Sequence, residues 1–439
     1  MLTAVTGTNA LAGRTVLRFA HAFESGGGTE RYLDDLDRTL LQRNEMSIIR
    51  LHVTRSATGN TPVEDKVGKG TLLRMPLPIV PTADHGWRIS ESDLGIRLKQ
   101  MARDKLLYHP VVWHTFGARW TASLTMRHEP GQAIGAGAAA AEVMRTRRVD
   151  LVMLHFFGGA DADEIVDAAR EARVPFAILN HYSNDRFLHL TVRKHAMLAT
   201  GVAGVNGLDV PDYLRGRVIN LSDGIDTEFF RRDHARPLVN PPSHPVILLP
   251  ARVIREKGQL DLLRAVSSLR RSGMECGLAF AGRVDASGFV DDLRREIAQT
   301  GMTDYVRFLG NLSVEELRDW YAASAVVAFP TYHHEGLGRV IIEAQAMETP
   351  VVAYATGGVP EAIIPGKTGY LLPTGDIDGL TTRLHELLSS PALRASIGAA
   401  GRAAVETRFS LAALAERHER FYAAVITDFK VDGANASVG

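Results

Sequence analysis

The stretch that decides the fold runs from Phe329 to Pro360: FPTYHHEGLGRVIIEAQAMETPVVAYATGGVP. An apolar run of strand length ends at Phe329. A polar loop carrying Pro330, His333, His334 and Glu335 follows, and a helix is expected from Gly338 to Met347. A second apolar run, 350–354, comes next. Strand, loop, helix and strand in this order make a βαβ unit, which implies a parallel sheet. Ligands of such sheets bind outside the carboxyl ends of the strands, where Glu335 falls. The helix start offers free N–H groups to anions or hydroxyls, and Gly336 and Gly338 let a ligand approach the backbone. If both glutamates were helical, Glu335 and Glu343 would stand ~12 Å apart. A retaining hydrolase needs its two carboxyls only about 5 Å apart, so the spacing suits two grips on one long ligand. The plainer alternative makes Glu335 a helix cap and Glu343 part of a solvated face.

The same alternation extends in both directions. Strands are expected at 15–19, 47–53, 151–154, 176–179, 202–205 and 218–221, with helices at 29–43 and near Ala168 and Arg193. Residues 231–245 hold Pro237, Pro241, Pro242 and Pro245 and read as an exposed linker. The pattern then restarts with strands at 246–251, 277–281, 306–309 and 325–329 and helices at 259–271, 289–299 and 314–323. Residues 380–429 are helical in period. The expected fold class is α/β, with two Rossmann-like domains facing a central cleft. The first domain spans 1–230 and the second 245–410, and a C-terminal helix at 411–429 crosses back to the first. Within the first domain, residues 54–129 read as an irregular elaboration, with a short basic helix at 93–107. Trp87, Trp113 and Trp120 lie there and read as core.

Composition narrows the function. The 439 residues carry 50 Lys+Arg against 50 Asp+Glu, which argues against a nucleic-acid partner. One cysteine, Cys276, leaves no disulfide framework and no Cys-rich metal site, and fits a reducing compartment. Apolar content of 45% and charged content of 23% are ordinary for a soluble globular protein. No apolar run approaches the ~18 residues of a spanning helix. Residues 1–13 read as a mobile leader rather than a signal peptide. The expected location is cytoplasmic, with peripheral contact at the inner face of a membrane left open.

Two cations stand at another strand end of the same half. Arg252 ends a strand, and Lys257 with Gly258 opens the next helix, a pairing suited to a diphosphate. A strand-end salt bridge is the plainer reading of Arg252.

Together these residues resemble the family 4 retaining glycosyltransferases of the GT-B fold. The resemblance rests on Glu335–Glu343 as an E-x7-E motif and on Pro350-Val-Val-Ala and Gly357-Gly-Val-Pro-Glu361. Asp223-Gly-Ile-Asp226, Ala251-Arg252 and Lys257-Gly258 add to it. It covers 223–409 and does not reach 54–129. Glu348 departs from it, since the family has a small residue or Gly there, and the departure falls on a surface turn.

The resemblance implies a retaining hexosyltransferase that needs no metal and no cofactor. It would move a sugar from a nucleoside diphosphate sugar, UDP- or GDP-linked, to an acceptor hydroxyl. Glu343 would hold the ribose, and Glu335 with the Gly336, Leu337 and Gly338 backbone would hold the sugar. Arg252 and Lys257 would bind the diphosphate, and Gly282, Arg283 and Leu309 would meet the nucleobase. The leaving phosphate would take the acceptor's proton.

The first half would supply the rest. Gly26, Gly27 and Gly28 follow the first strand, either as a tight turn or as N–H donors facing the diphosphate. His181, at the end of a strand, would bond the sugar. His155, Phe156 and Tyr182 would line the acceptor pocket. Asp161 and Asp163 mimic a metal-binding D-x-D pair but read as a helix cap. Gly135-Ala-Gly137-Ala-Ala-Ala140 imitates a dinucleotide fingerprint inside an Ala-rich helix, so dehydrogenase chemistry is disfavoured. The remaining alternatives are a nucleotide-sugar epimerase of the same fold and an inactive sugar-nucleotide-binding scaffold.

Overall fold

A computed structural model describes residues 10–20, 28–54, 62–78, 136–155, 160–181, 190–208, 210–284 and 288–436. The expected helix at 93–107, the three tryptophans, Gly26, Gly27, Phe156 and Tyr182 lie outside them.

Two α/β bodies follow one another. The first sheet holds β1 (Thr15–Ala20), β2 (Ser47–Thr54), β3 (Val63–Val67), β4 (Gly70–Pro78), β5 (Leu151–His155), β6 (Phe176–Asn180), β7 (Gly201–Gly204) and β8 (Val218–Asn220). Its order is β3-β4-β2-β1-β5-β6-β7-β8, parallel except for β3 against β4. The second holds β9 (Val246–Pro250), β10 (Gly277–Ala281), β11 (Val306–Gly310), β12 (Val326–Phe329), β13 (Val351–Tyr354) and β14 (Tyr370–Leu372). Its order is β11-β10-β9-β12-β13-β14, all parallel. That is the doubly wound order, with the switch point between β9 and β12.

The helices are α1 (Gly28–Arg43), α2 (Ala136–Thr146), α3 (Ala160–Glu171), α4 (Leu190–Leu198), α5 (Gln259–Arg271) and α6 (Gly288–Gln299). After these come α7 (Val314–Ala323), α8 (Arg339–Ala346), α9 (Val359–Ala362), α10 (Ile377–Ser389), α11 (Pro391–Arg408) and α12 (Leu411–Ala436). The strands of both sheets are flanked by helices, so most of their residues are buried whichever way they point. Ser313 starts α7 with a reciprocal capping box to Glu316.

Helix α12 leaves the second body and packs on the first. Its Leu414, Phe421, Tyr422, Val425 and Ile426 join the cluster of α1, Met153 and Leu179. Ile225 and Phe230, in contrast, pack with the core of the second body, ahead of the linker. Arg232 in that linker donates to the Met347 and Ala322 carbonyls and fixes it to the second body.

Two expectations are corrected. The elaboration at 54–129 is not wholly irregular: its β3–β4 hairpin extends the first sheet. The leader is not free at its end, because Leu11 is buried and Gly13 donates to the Glu45 carbonyl. Glu348 falls on an exposed turn, as expected, and sits there in the left-handed region at φ 56°, where a glycine would be unstrained.

Candidate active site at the switch points

The loop after β9 and the loop after β12 meet at the second sheet's switch point. Gly258 stands at φ 76°, and a Cβ there would lie 1.9 Å from the Pro330 carbonyl oxygen, so only glycine allows this approach. Glu256's carbonyl accepts from the Tyr332 N–H at 2.8 Å and the Thr331 hydroxyl at 3.2 Å. Asp261 accepts from the Tyr332 and Tyr354 hydroxyls at 2.7 and 2.8 Å. These bonds fix the loop that carries Glu335 onto the turn that carries Lys257. Lys257 and Glu335 form an ion pair, with side chains 12% and 19% exposed. Arg252 is exposed beside them, and its guanidinium has no partner among the described residues. Gly282 donates to the Gly310 carbonyl at 2.7 Å, which joins the two stretches expected to meet a nucleobase, including Arg283 and Leu309.

Helix α8 starts from Gly338 and carries Glu343 inward. Glu343 is only 2% exposed, so it lies neither on a solvated face nor at the cleft mouth. Its carboxylate accepts from the Tyr321 hydroxyl at 2.9 Å and from Arg339 Nε at 3.3 Å. Arg339 also reaches Asp35 on α1 at 3.0 Å and Asp223 at 3.4 Å. One guanidinium thus ties three carboxylates from both bodies. Burial pushes the Glu343, Asp35 and Asp223 carboxyls above their usual range, and Arg339 opposes the shift in each. Leu337 is buried in the core, so only its backbone can face a ligand.

The first body faces this loop across a narrow gap. Gly336's carbonyl accepts from Asn206 Nδ2 at 2.6 Å. A Cβ on Gly336 would lie 2.5 Å from the His181 carbonyl oxygen, so the two bodies touch where His181 leaves β6. Glu361 accepts from the Gly207 N–H and Asn220 Nδ2, each at 2.6 Å. Gly28, expected among the donor contacts, is the first residue of α1.

His181 is half-buried. Its Nε2 lies 2.9 Å from His155 Nδ1, and the two rings stack at 5.2 Å. Desolvation, with the Arg18 charge, pushes the His181 pKa down to about 3 and the His155 pKa well below its usual value. His155 is fully buried and cannot line an acceptor pocket, which corrects its expected role. It backs His181 instead. Asp163 is corrected as well: it lies within α3 rather than at its cap, and it pairs with His195 at 2.8 Å. No three candidate metal ligands cluster among the described residues. Cys276 is buried in the core with its thiol pushed up to about 11, remote from these loops.

Sequence reasoning missed Arg339, Tyr321, Asn206 and Glu361. Arg339 left one signal, a cation four residues ahead of Glu343 on one helix face. Its other partners are 304 and 116 residues away and carry none.

Comparison with known proteins agrees with this geometry. Residues 230–404 match the family model described as Glycosyl transferases group 1. A GDP-mannose-dependent alpha-(1-6)-phosphatidylinositol monomannoside mannosyltransferase of Mycolicibacterium smegmatis is 34% identical over 42% of this chain and 50% of its own. A D-inositol 3-phosphate glycosyltransferase of Streptomyces avermitilis is 34% identical over 42% of each. The chain spans about half the length of the curated relatives it matches. In fold it is similar to a glycosyltransferase from Rickettsia africae, with a TM-score of 0.65, 17% identity, and 94% and 99% of the two chains covered. It is also similar to a sucrose-phosphate synthase from Thermosynechococcus elongatus, with a TM-score of 0.64, 18% identity, and 94% and 100% covered. The two parallel-sheet bodies are those of a GT-B fold, and the second carries the glycosyl transferases group 1 match.

Proposed function

We propose that this protein is a retaining glycosyltransferase that moves a hexose from a nucleoside diphosphate sugar to an acceptor hydroxyl without a metal ion. The observation that carries the reading is the Lys257–Glu335 pair at the β9/β12 switch point, with Arg252 on the same loop as Lys257 and its guanidinium without a partner among the described residues. Charge grows on the leaving diphosphate. Two fixed cations at a strand-end crevice stabilise it in the transition state more than in the ground state. They supply what a divalent ion supplies elsewhere.

Glu335 exchanges its bond to Lys257 for sugar hydroxyls as the diphosphate takes up the lysine. Gly336 to Gly338 bring bare backbone to the sugar. His181, neutral at working pH, orients it from the other body. Glu343 receives the ribose: a carboxylate has room for about four hydrogen bonds, and Tyr321 and Arg339 use two. At 2% exposure it meets a ribose only when the Arg339 tie between the bodies loosens. Donor entry and opening are therefore coupled. The departing phosphate takes the acceptor's proton on the face the sugar leaves.

The names of the curated relatives make GDP-mannose the first donor to try, with UDP-sugars second. The acceptor carries a hydroxyl, and the first body selects it. No described helix is long and apolar enough to cross a membrane. A thermal-shift screen of UDP-, GDP- and ADP-sugars tests the reading, because bound donor raises stability by mass action. One nucleotide series should raise the melting temperature of the parent and not of Lys257→Ala. No shift with any of them would refute it.

A further inference from the structure

His155 and His181 end neighbouring parallel strands on the face covered by α1 and α12. Tyr32 of α1 stands edge-on to the His181 ring at 4.8 Å, and its hydroxyl lies 3.0 Å from His418 Nε2 on α12. His418 Nδ1 faces the Leu414 carbonyl at 3.0 Å, which accepts only, so that nitrogen carries the proton. His418 Nε2 is then an acceptor for the Tyr32 hydroxyl. Arg18, in β1, is wholly buried, donates to the Tyr422 hydroxyl at 2.7 Å and pairs with Asp37. Its charge acts on both His155 and His181 more strongly than any other.

His155 Nε2 is buried with no hydrogen-bond partner among the described residues. The strongest charge acting on the ring is the Arg18 guanidinium, which only donates. In the field of that cation, and with nothing to accept from it, Nε2 is better as a lone pair than as an N–H. The proton of His155 therefore sits on Nδ1 and is donated to His181 Nε2 across the 2.9 Å contact. His181 is left with its own proton on Nδ1.

The geometry points to His155 as the positioning residue that fixes His181 as the Nδ1–H tautomer, so that His181 meets the sugar as a donor. This rests on the reading of His181 given above. It also explains why a histidine with no access to an acceptor stands at the end of β5. The ionisable groups around the pair are Arg18 and Arg50 from the strands, Tyr32 and Asp37 from α1, and His418 and Tyr422 from α12.

Ring-nitrogen NMR of the full chain tests the assignment without any substrate. His181 should show a protonated Nδ1 and a bare Nε2, unchanged across about pH 5 to 8, where a free imidazole changes charge. His155→Phe should turn this single state into a tautomer mixture. His155→Asn, whose amide stands where Nδ1 stood, should restore it. Arg18→Met should raise the pH at which His181 takes up a proton, with burial still holding it below the usual imidazole value. If Arg18→Met does not fold, the two His155 variants carry the test. A protonated Nε2 in the parent, or an unchanged tautomer in folded His155→Phe, overturns the proposal. Failure of the functional reading looks different: His181→Ala would turn over GDP-mannose or UDP-glucose like the parent while the parent's ring state stayed as assigned.

Discussion

The two bodies share an architecture and treat charge in opposite ways. At the switch point of the second body, Arg252, Lys257 and Glu335 stand at least partly exposed on loops, with Lys257 and Glu335 paired. Under the strand ends of the first, His155, His181 and His418 are desolvated, beside a buried arginine, and held neutral. On the proposed reading, one body would present charge to the diphosphate, and the other oriented neutral hydrogen bonds to the sugar. Arg339 joins them by carrying a cation of the second body to Asp35 of the first.

The largest expected effect breaks that joint. Arg339→Met leaves Glu343 buried without its cation and strips Asp35 and Asp223 of theirs, costing about 3–5 kcal/mol. Urea unfolding measures it, and a parent-like midpoint would mean the tie holds nothing. Next, Lys257→Ala should lower turnover about 10²–10³-fold, the range for removing one transition-state charge partner. Its melting temperature should stay near the parent's, because Glu335 remains partly solvated. Normal turnover would remove the charged half of the contrast.

Acid should separate the bodies. A histidine depressed in the fold takes up protons only on unfolding, so its contribution to stability is complete above about pH 6.5 and falls as pH drops below it. Each of the three contributes a slope of about 1.4 kcal/mol per pH unit until its folded pKa is reached. The raised carboxyls of Asp35, Asp223 and Glu343 act with the opposite sign from about pH 4 upward and offset part of this. Hydrogen exchange across a pH series should show β1, β5 and α12 loosening before β9 and β12. Simultaneous loosening would contradict the contrast. The smallest effect is Glu348→Gly. Relief of the left-handed backbone, less glycine's entropy cost, should add less than about 1 kcal/mol. Thermal unfolding reads it.

The second body was the more legible in sequence. Its strands are continuous apolar runs bounded by loops, and α5, α7 and β10 fall where the period places them. Among its described elements β14, three residues long between Gly369 and Pro373, and the short helix α9 were missed. In the first body, Pro76 and Pro78 hid β4. Its partner β3 ends its pairing at Arg74, so the prolines lie beyond that ladder and their missing N–H groups cost it nothing. The site shows the same divide. Glu335 and Lys257 were legible because each is a polar residue at a strand-end loop. Arg339's ties to Asp35 and Asp223 and the His155–His181 contact join residues far apart in sequence, and a single chain carries no signal of them. Glu343 was placed on the correct helix, and of its two readings the solvated face fails, since Tyr321 covers it from another helix.

The central claim is that the cleft releases a sugar from a nucleoside diphosphate with its anomeric configuration kept. Proton NMR of the first sugar formed when the full chain hydrolyses GDP-mannose, or the donor found by thermal shift, tests it most directly. The expected first product has the donor's own anomeric configuration, and Lys257→Ala forms almost none. An inverted first product, or equal release by Lys257→Ala, would contradict it.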